Sequence, residues 1–130
     1  MFRPHIPHMS RLIKKLLALA MDAEDFPQRA LAADRALSEV GSAHPVLFIR
    51  TIGAEVCKRE STDVYRRKAL EALVSLVKSF PVVFLRHLPL IAEIVIKTLD
   101  PSEPALRSSC LTASTMALQE LVKRYPMVSL

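Results

Sequence analysis

Histidine and cysteine, the residues best suited to bind metals or act as nucleophiles, are few and widely separated in this sequence. His5 and His8 could share a metal ion, but their proline-rich segment contains no further ligand. Cys57 and Cys110 lack the paired spacing of a zinc site or a redox motif. Two isolated glycines cannot build a phosphate-binding loop. The sequence therefore predicts a protein that is not an enzyme and has no metal or cofactor.

The basic residues indicate a different chemistry, the binding of a phosphate or an acidic partner. Two basic clusters flank one predicted turn, and a further arginine takes the equivalent position in the next repeat unit. A row of arginines on stacked helices could form charge-assisted hydrogen bonds with such a partner. The candidate partner-binding residues of this group are Lys58, Arg59, Arg66, Arg67, Lys68 and Arg107.

The elements that must position these residues are marked by a phrase that occurs three times. His44–Arg50 reads HPVLFIR, Phe80–Arg86 reads FPVVFLR, and a third copy begins at Tyr125–Val128 with YPMV. The spacings of about 36 and 45 residues lie in the range of stacked helical repeats. The sequence therefore predicts an all-α fold, an α-solenoid of about three antiparallel helix pairs.

Hydrophobic periodicity and proline-rich breaks divide the chain further. Residues 1–9 are predicted to form an irregular lead-in, and residues 10–130 a single domain. The predicted helix pairs cover about 10–41, 44–80 and 81–125.

Single residues suggest how these helices begin, end and bend. Ser10 is predicted to cap the first helix, and Gly41 to end the second in a left-handed conformation. Gly53 and Pro89 take the same position in two successive repeats, and both weaken helical hydrogen bonding. We therefore expect a bend at each of these two positions.

The second and third units resemble HEAT-type repeats. In that family each unit is an antiparallel helix pair with a proline in the first helix and an aspartate in the turn. An apolar-Arg-x-x-small pattern opens the second helix. Pro89, Asp100 and Leu106–Cys110 follow this pattern, and Tyr65–Ala69 follows it one unit earlier. The resemblance covers mainly residues 44–126 and implies a module that binds other proteins.

The same resemblance implies a structural alternative for the arginines. In HEAT-type units this arginine commonly bonds the turn of a neighbouring repeat, so pairing with Asp63 or Asp100 competes with ligand binding as a role for Arg66 and Arg107. Nucleic acid is not favoured as a partner, because its binding calls for aromatic platforms or a dense basic stripe. The chain has two tyrosines and charges of both signs.

A narrower likeness concerns the C-terminal part. Phe80–Leu130, especially Leu99–Ser102 and Lys123–Pro126, looks like the helical region near the C-terminus of large WD-repeat proteins of the rabconnectin type. In such proteins this block leads back into β-propeller blades, and the family is linked to vesicle traffic and to regulation of the vacuolar proton pump. The likeness implies a scaffold fragment that binds a protein partner or an adjacent domain of the same protein.

The third copy of the phrase contributes three more candidate residues. Met127, Val128 and Leu130 are apolar at a point where a solenoid normally has a polar cap. We expect them to pack against an adjacent domain or a second copy of the chain, which would give a homo-oligomer through uncapped repeat ends.

Composition sets the remaining expectations. The formal charge of +5 allows an alternative function, the docking of a basic helical module on anionic membrane or nucleic acid. No window is long and apolar enough for a transmembrane segment, and nothing indicates a secretory signal. We therefore predict buried, reduced cysteines and an intracellular protein, either cytoplasmic or peripheral to endomembranes.

Overall fold

The computed structural model describes residues 6–125, and every regular element in this range is an α-helix. The all-α prediction is therefore confirmed. The helices are α1 Ile6–Ala20, α2 Pro27–Ala43, α3 Pro45–Cys57, α4 Asp63–Ser79, α5 Pro81–Leu85, α6 Leu88–Thr98 and α7 Pro104–Arg124. No helix in this part of the chain is both long and apolar enough to cross a membrane.

The repeated phrase marks the junctions between helices. His44 joins α2 to α3 with φ −132° and ψ 66°, and Phe80 joins α4 to α5 with φ −130° and ψ 57°. Tyr125, at the end of α7, has φ −129° and ψ 74°. Each of the three donates its backbone N–H to the carbonyl four residues earlier, at 2.8 to 2.9 Å. The residue before proline thus completes the preceding helix, and a proline, which has no N–H to lose, can follow it.

The start of α1 differs from the prediction. The helix begins at Ile6, so the irregular lead-in predicted for residues 1–9 does not extend over residues 6–9, and Ser10 is not a cap. A proline in the first turn suits this start, because the first N–H groups of a helix have no partner within it. Ser10 lies inside α1 and accepts a hydrogen bond from Thr51 Oγ1 of α3 at 3.4 Å.

Gly41 does not end α2, contrary to the prediction. The helix continues to Ala43, and no described residue has a positive φ. Gly41 is buried, and a Cβ there would collide with the side chain of Leu76 on α4 and lie 3.3 Å from the Phe48 ring on α3. The glycine therefore permits three helices to approach closely instead of turning the chain.

The two positions where bends were predicted, Gly53 and Pro89, differ in the structure. α3 runs unbroken through Gly53, where a Cβ would lie 2.8 Å from Cδ1 of Ile94 on α6, so close packing again explains the glycine. At Pro89 the predicted helix is interrupted: α5 ends at Leu85, and α6 begins at Leu88 with the proline in its first turn. The first turn is where a proline costs a helix least.

The helices pack around one core to which all seven contribute. α1 packs on α2, α3 on α4, and α6 on α7. Between these pairs, α1 contacts α3 and α3 contacts α6, while α2 contacts α4 and α4 contacts α7. α4 packs against α1, α2, α3, α5 and α7. The largest fully buried side chains include Phe48, Phe84, Ile13, Leu17, Leu70 and Leu73.

Two polar contacts secure the C-terminal helices. The buried hydroxyls of Thr98 on α6 and Ser114 on α7 lie 2.6 Å apart, and Thr98 also donates to the carbonyl of Val95 at 2.6 Å. The Tyr125 hydroxyl donates to the carbonyl of Pro81 at 2.5 Å. The end of α7 is thereby joined to the start of α5.

The close approach at Gly53 can be tested with Gly53→Val. The added methyl groups would press on Ile94, so we expect the free energy of unfolding to fall by about 2 kcal/mol or more. Ala54→Val is the matched control, because Ala54 is the exposed neighbour on α3 and the change should cost less than about 1 kcal/mol. Urea denaturation measures both, and equal losses would contradict the close packing of α3 on α6.

Candidate protein-binding groove

The face of α4 that does not join the core lies at the bottom of a concave surface. One face of the helix is buried through Ala69, Leu70, Leu73, Leu76 and Val77. The opposite face carries a stripe of side chains at helical spacing that are exposed or half-buried. The members of this stripe are Val64, Arg67, Lys68, Glu71 and Ser75.

Two adjoining cavities run along this stripe on the side of α1 and α2. One, of about 290 Å³, lies between the end of α1 and the first half of α4, and the other, of about 280 Å³, lies between α2 and the second half of α4. Lys68 and Glu71 line both. We call the two together the α4 groove, defined by Met21, Asp34, Val64, Arg67, Lys68, Glu71 and Ser75.

A third cavity, of about 310 Å³, lies on the other side of α4, against α7. Arg67 and Glu71 line it from α4, and Ser108, Thr112 and Met116 line it from α7. Glu71 therefore belongs to all three cavities, and Arg67 belongs to two of them.

The charges of the groove fall into two groups. Lys68 is held by Asp34 of α2, with Nζ and Oδ1 3.1 Å apart, so this pair ties α2 to α4 across the groove. Arg67 and Glu71 are exposed, and the side chain of neither forms a hydrogen bond or ion pair with another residue between 6 and 125. The groove therefore offers one cation and one anion to a partner.

Arg66, next to this face, belongs to the interior. Its side chain donates from Nε to the carbonyl of Val56 at 2.9 Å and from Nη2 to the carbonyl of Lys58 at 2.7 Å. These carbonyls lie at the end of α3, where helical acceptors lack intrahelical donors. With 8% of its surface exposed, Arg66 is part of the core and not of a docking surface.

The third donor of Arg66 reaches α7. Nη1 donates to Ser109 Oγ at 3.0 Å, and Ser109 in turn donates to the Asp63 carboxylate in the first turn of α4. Arg66 Nη1 itself lies 4.0 Å from Asp63 Oδ1. One guanidinium thus joins α3, α4 and α7. Of the two roles considered for Arg66, this arrangement matches the structural one, with carbonyl oxygens as the principal acceptors.

Glu55 forms a second internal centre. Only 5% of the surface of Glu55 is exposed. Its carboxylate accepts a hydrogen bond from the Tyr65 hydroxyl at 2.8 Å. The same carboxylate lies 2.6 Å from Lys58 Nζ and 3.8 Å from Lys14 Nζ. Burial opposes ionisation, but the hydrogen bonds from Lys58 and Tyr65 and the two positive charges outweigh it, so the pKa of Glu55 lies below its usual value. The pKa of Lys58 is raised, chiefly by its hydrogen bond with Glu55.

The structure does not bring the predicted basic residues together on one surface. Lys58 and Lys68 are paired with carboxylates, and Arg66 is buried. Arg59, Arg67 and Arg107 are exposed. Arg107 does not repeat the contacts of Arg66, and Asp100 instead accepts from the backbone N–H and hydroxyl of Ser102. The predicted contacts Met127, Val128 and Leu130 lie outside the described residues.

The described residues contain no cluster of three or more potential metal ligands. Cys57 and Cys110 both carry thiols and are not joined in a disulfide. Cys110 is fully buried, and burial raises the pKa of its thiol, which disfavours the reactive thiolate. His5 lies outside the described residues.

Two further cavities do not adjoin the exposed stripe of α4. A mainly apolar one of about 560 Å³ runs over the outer side of α3 near Ser10 and His44. Another, of about 600 Å³, lies between the α3–α4 and α6–α7 turns, where Arg59, Arg66 and Lys97 line it together with Asp100 and Glu103. It brings Arg59 near acidic residues, so it is not a purely basic surface.

Comparisons with known proteins give no relative from which a function could be transferred. No protein family model matches the chain, and neither curated proteins nor solved structures give a significant match. The geometry of the site therefore carries the functional argument.

Sequence reasoning selected Arg67 and Lys68 but missed Glu71 and Asp34. The signal in the sequence is the spacing of Val64, Arg67, Glu71 and Ser75, which places them on one face of α4. That spacing shows which side chains share a face. It does not show that the face lies in a concavity, because the concavity is formed by α1, α2 and α7.

The role of Arg66 predicts a large effect of Arg66→Ala. The truncation leaves the Val56 and Lys58 carbonyls and Ser109 without this donor, so we expect a loss of about 2–4 kcal/mol in the free energy of unfolding. Arg107→Ala, at the equivalent but exposed position, should change it by less than about 0.5 kcal/mol. Chemical denaturation compares the two, and similar losses would show that Arg66 does not join the helices.

The environment of Glu55 predicts a pH-dependent contribution to stability. Because the pKa of Glu55 in the folded protein lies below the usual glutamate value of 4.5, this contribution is full above pH 4.5 and is lost as the pH falls through the folded pKa. Glu55→Gln should lower the free energy of unfolding by about 1–2 kcal/mol at pH 7, and by progressively less below pH 4.5. Urea titrations at neutral and acidic pH measure this, and a constant difference would contradict the assignment.

Proposed function

We propose that this chain is a HEAT-like α-solenoid module, built from antiparallel helix pairs, that binds protein partners along the α4 groove and catalyses no reaction. The observation that carries the proposal is the arrangement of three adjoining cavities around one exposed helical stripe, all of them lined by Glu71. The stripe belongs to α4, which packs against α1, α2, α3, α5 and α7, so the surface is preorganised. Preorganised surfaces lose less conformational entropy on binding.

The solenoid part of the proposal is supported by the order of packing. Each helix pair contacts the next through corresponding members: α1 contacts α3 and α3 contacts α6, while α2 contacts α4 and α4 contacts α7. The phrase repeated in the sequence at His44, Phe80 and Tyr125 adds to this support. A stack of units that each contact only their neighbours is the defining property of solenoid proteins.

The wider setting is proposed from the sequence. The likeness of Phe80–Leu130 to rabconnectin-type proteins supports a module of a larger WD-repeat protein, linked to vesicle traffic or proton-pump regulation in the cytoplasm or at endomembranes. An adjacent domain or a second copy, packed on Met127, Val128 and Leu130, remains part of this proposal.

The distribution of charge favours protein over anionic membrane or nucleic acid as the partner. Lys58 and Lys68 are neutralised by Glu55 and Asp34. Within the groove, Arg67 is accompanied by the carboxylate of Glu71, which would repel phosphate. The moderate excess of positive charge is therefore not concentrated on this surface.

The groove can be tested by filling it. A displayed library of random peptides is selected on the full chain, and the enriched peptides are then measured on Ser75→Trp and on Ser79→Trp. Ser75 lines the groove, whereas Ser79 is the exposed last residue of α4 and lines none of the cavities described above. We expect at least about tenfold weaker binding to Ser75→Trp, about 1.4 kcal/mol, and unchanged binding to Ser79→Trp.

Two results would overturn the proposed function. One is the absence of any peptide whose binding distinguishes the two tryptophan variants. The other is displacement of the selected peptides from the groove by RNA or by acidic vesicles at physiological salt, which would favour the basic docking module.

A further inference from the structure

We propose that the α4 groove takes an extended polypeptide segment with an acidic and a basic side chain two residues apart, the acid held by Arg67 and the base by Glu71. This inference rests on the proposed function and specifies its partner. It uses the two charges in the groove that the fold leaves available.

The availability of these charges follows from their contacts. Lys68 is held by Asp34, but the side chains of Arg67 and Glu71 make no hydrogen bond or ion pair within residues 6–125. They lie one turn apart on α4 with the cation nearer the N-terminus, which is the less favourable order for an ion pair within a helix. A bound segment with complementary charges would supply the missing partners through charge-assisted hydrogen bonds.

The spacing of the two residues defines the spacing in the partner. Four residues of α-helix rise about 6 Å. In an extended segment, side chains on the same side are two residues apart and separated by about 6.5–7 Å. A segment running along α4 therefore presents its acid and its base at positions i and i+2, with an intervening side chain directed away from the helix.

The end of the groove adds an apolar preference. Val64 lies nearly one turn before Arg67, is 53% exposed, and lines the groove together with Met21. An apolar side chain of the partner, next to the acid that Arg67 holds, would cover this surface. Removing exposed apolar surface from water favours such a contact.

The order of charges in the partner provides the decisive experiment. The same peptide library is selected on the full wild-type chain and on the full-length double variant Arg67→Glu/Glu71→Arg, which exchanges the two charges without changing the net charge. The matched control is Glu93→Lys/Lys97→Glu on α6, because these residues have the same spacing, are exposed and lie outside the groove.

We expect the peptides selected on the wild type to share an acid-x-base pattern, with the acid and the base in one fixed order along the peptide. The peptides selected on the double variant should share the opposite order. Wild-type peptides should bind the double variant at least about tenfold more weakly, since two attractions become repulsions. Binding to the Glu93/Lys97 control should be unchanged.

The outcomes separate this inference from the proposed function. Peptides whose binding is sensitive to Ser75→Trp but whose charge order does not follow the exchange would overturn the inference and leave the groove as a binding site. Absence of any peptide sensitive to Ser75→Trp would overturn both.

Discussion

The buried guanidinium of Arg66 is the contact on which the arrangement of the helices depends most directly. A helix leaves its last carbonyls without intrahelical donors, and α3 ends beside the first turn of α4. Arg66 supplies these donors through Nε and Nη2 and still has Nη1 for Ser109. A planar group with donors in fixed directions can serve three helices at once, whereas a lysine ammonium, a single point of charge at the end of a flexible chain, could not.

This contact also explains how α4 can hold the helices together and still carry the proposed binding surface. Arg66 and Ala69 lie on the face of α4 that packs into the protein, and Arg67 follows Arg66 by one residue and therefore points to a different side. The side chain that joins the helices and the side chain offered to a partner are neighbours in the sequence. A binding surface on a helix fixed in this way is held more precisely than one on a loop.

The sequence was informative where local physical rules decide the structure. The end of α7 was predicted closely, because the third predicted helix pair ends at Tyr125, the residue before a proline. The roles of Gly41 and Gly53 were predicted wrongly. A single sequence shows the same residue whether the glycine ends a helix, bends a helix or permits close contact with another helix. Only the position of the neighbouring helices, through Leu76 and Ile94, distinguishes these roles. For the same reason the α4 groove could not be predicted, since other helices also carry polar stripes.

Charge compensation inside the fold changes what the net charge means for function. The formal charge of +5 suggests a basic surface, but Glu55 holds two lysines and Asp34 holds another. The positive residues that remain exposed are dispersed, and Arg67 is accompanied by Glu71. A dispersed excess of charge attracts anions weakly and without specificity, because exposed pairs gain little energy and salt screens them. A cation and an anion at a fixed spacing in a concave surface instead select a partner by the order of its charges, and that kind of selectivity suits a protein scaffold.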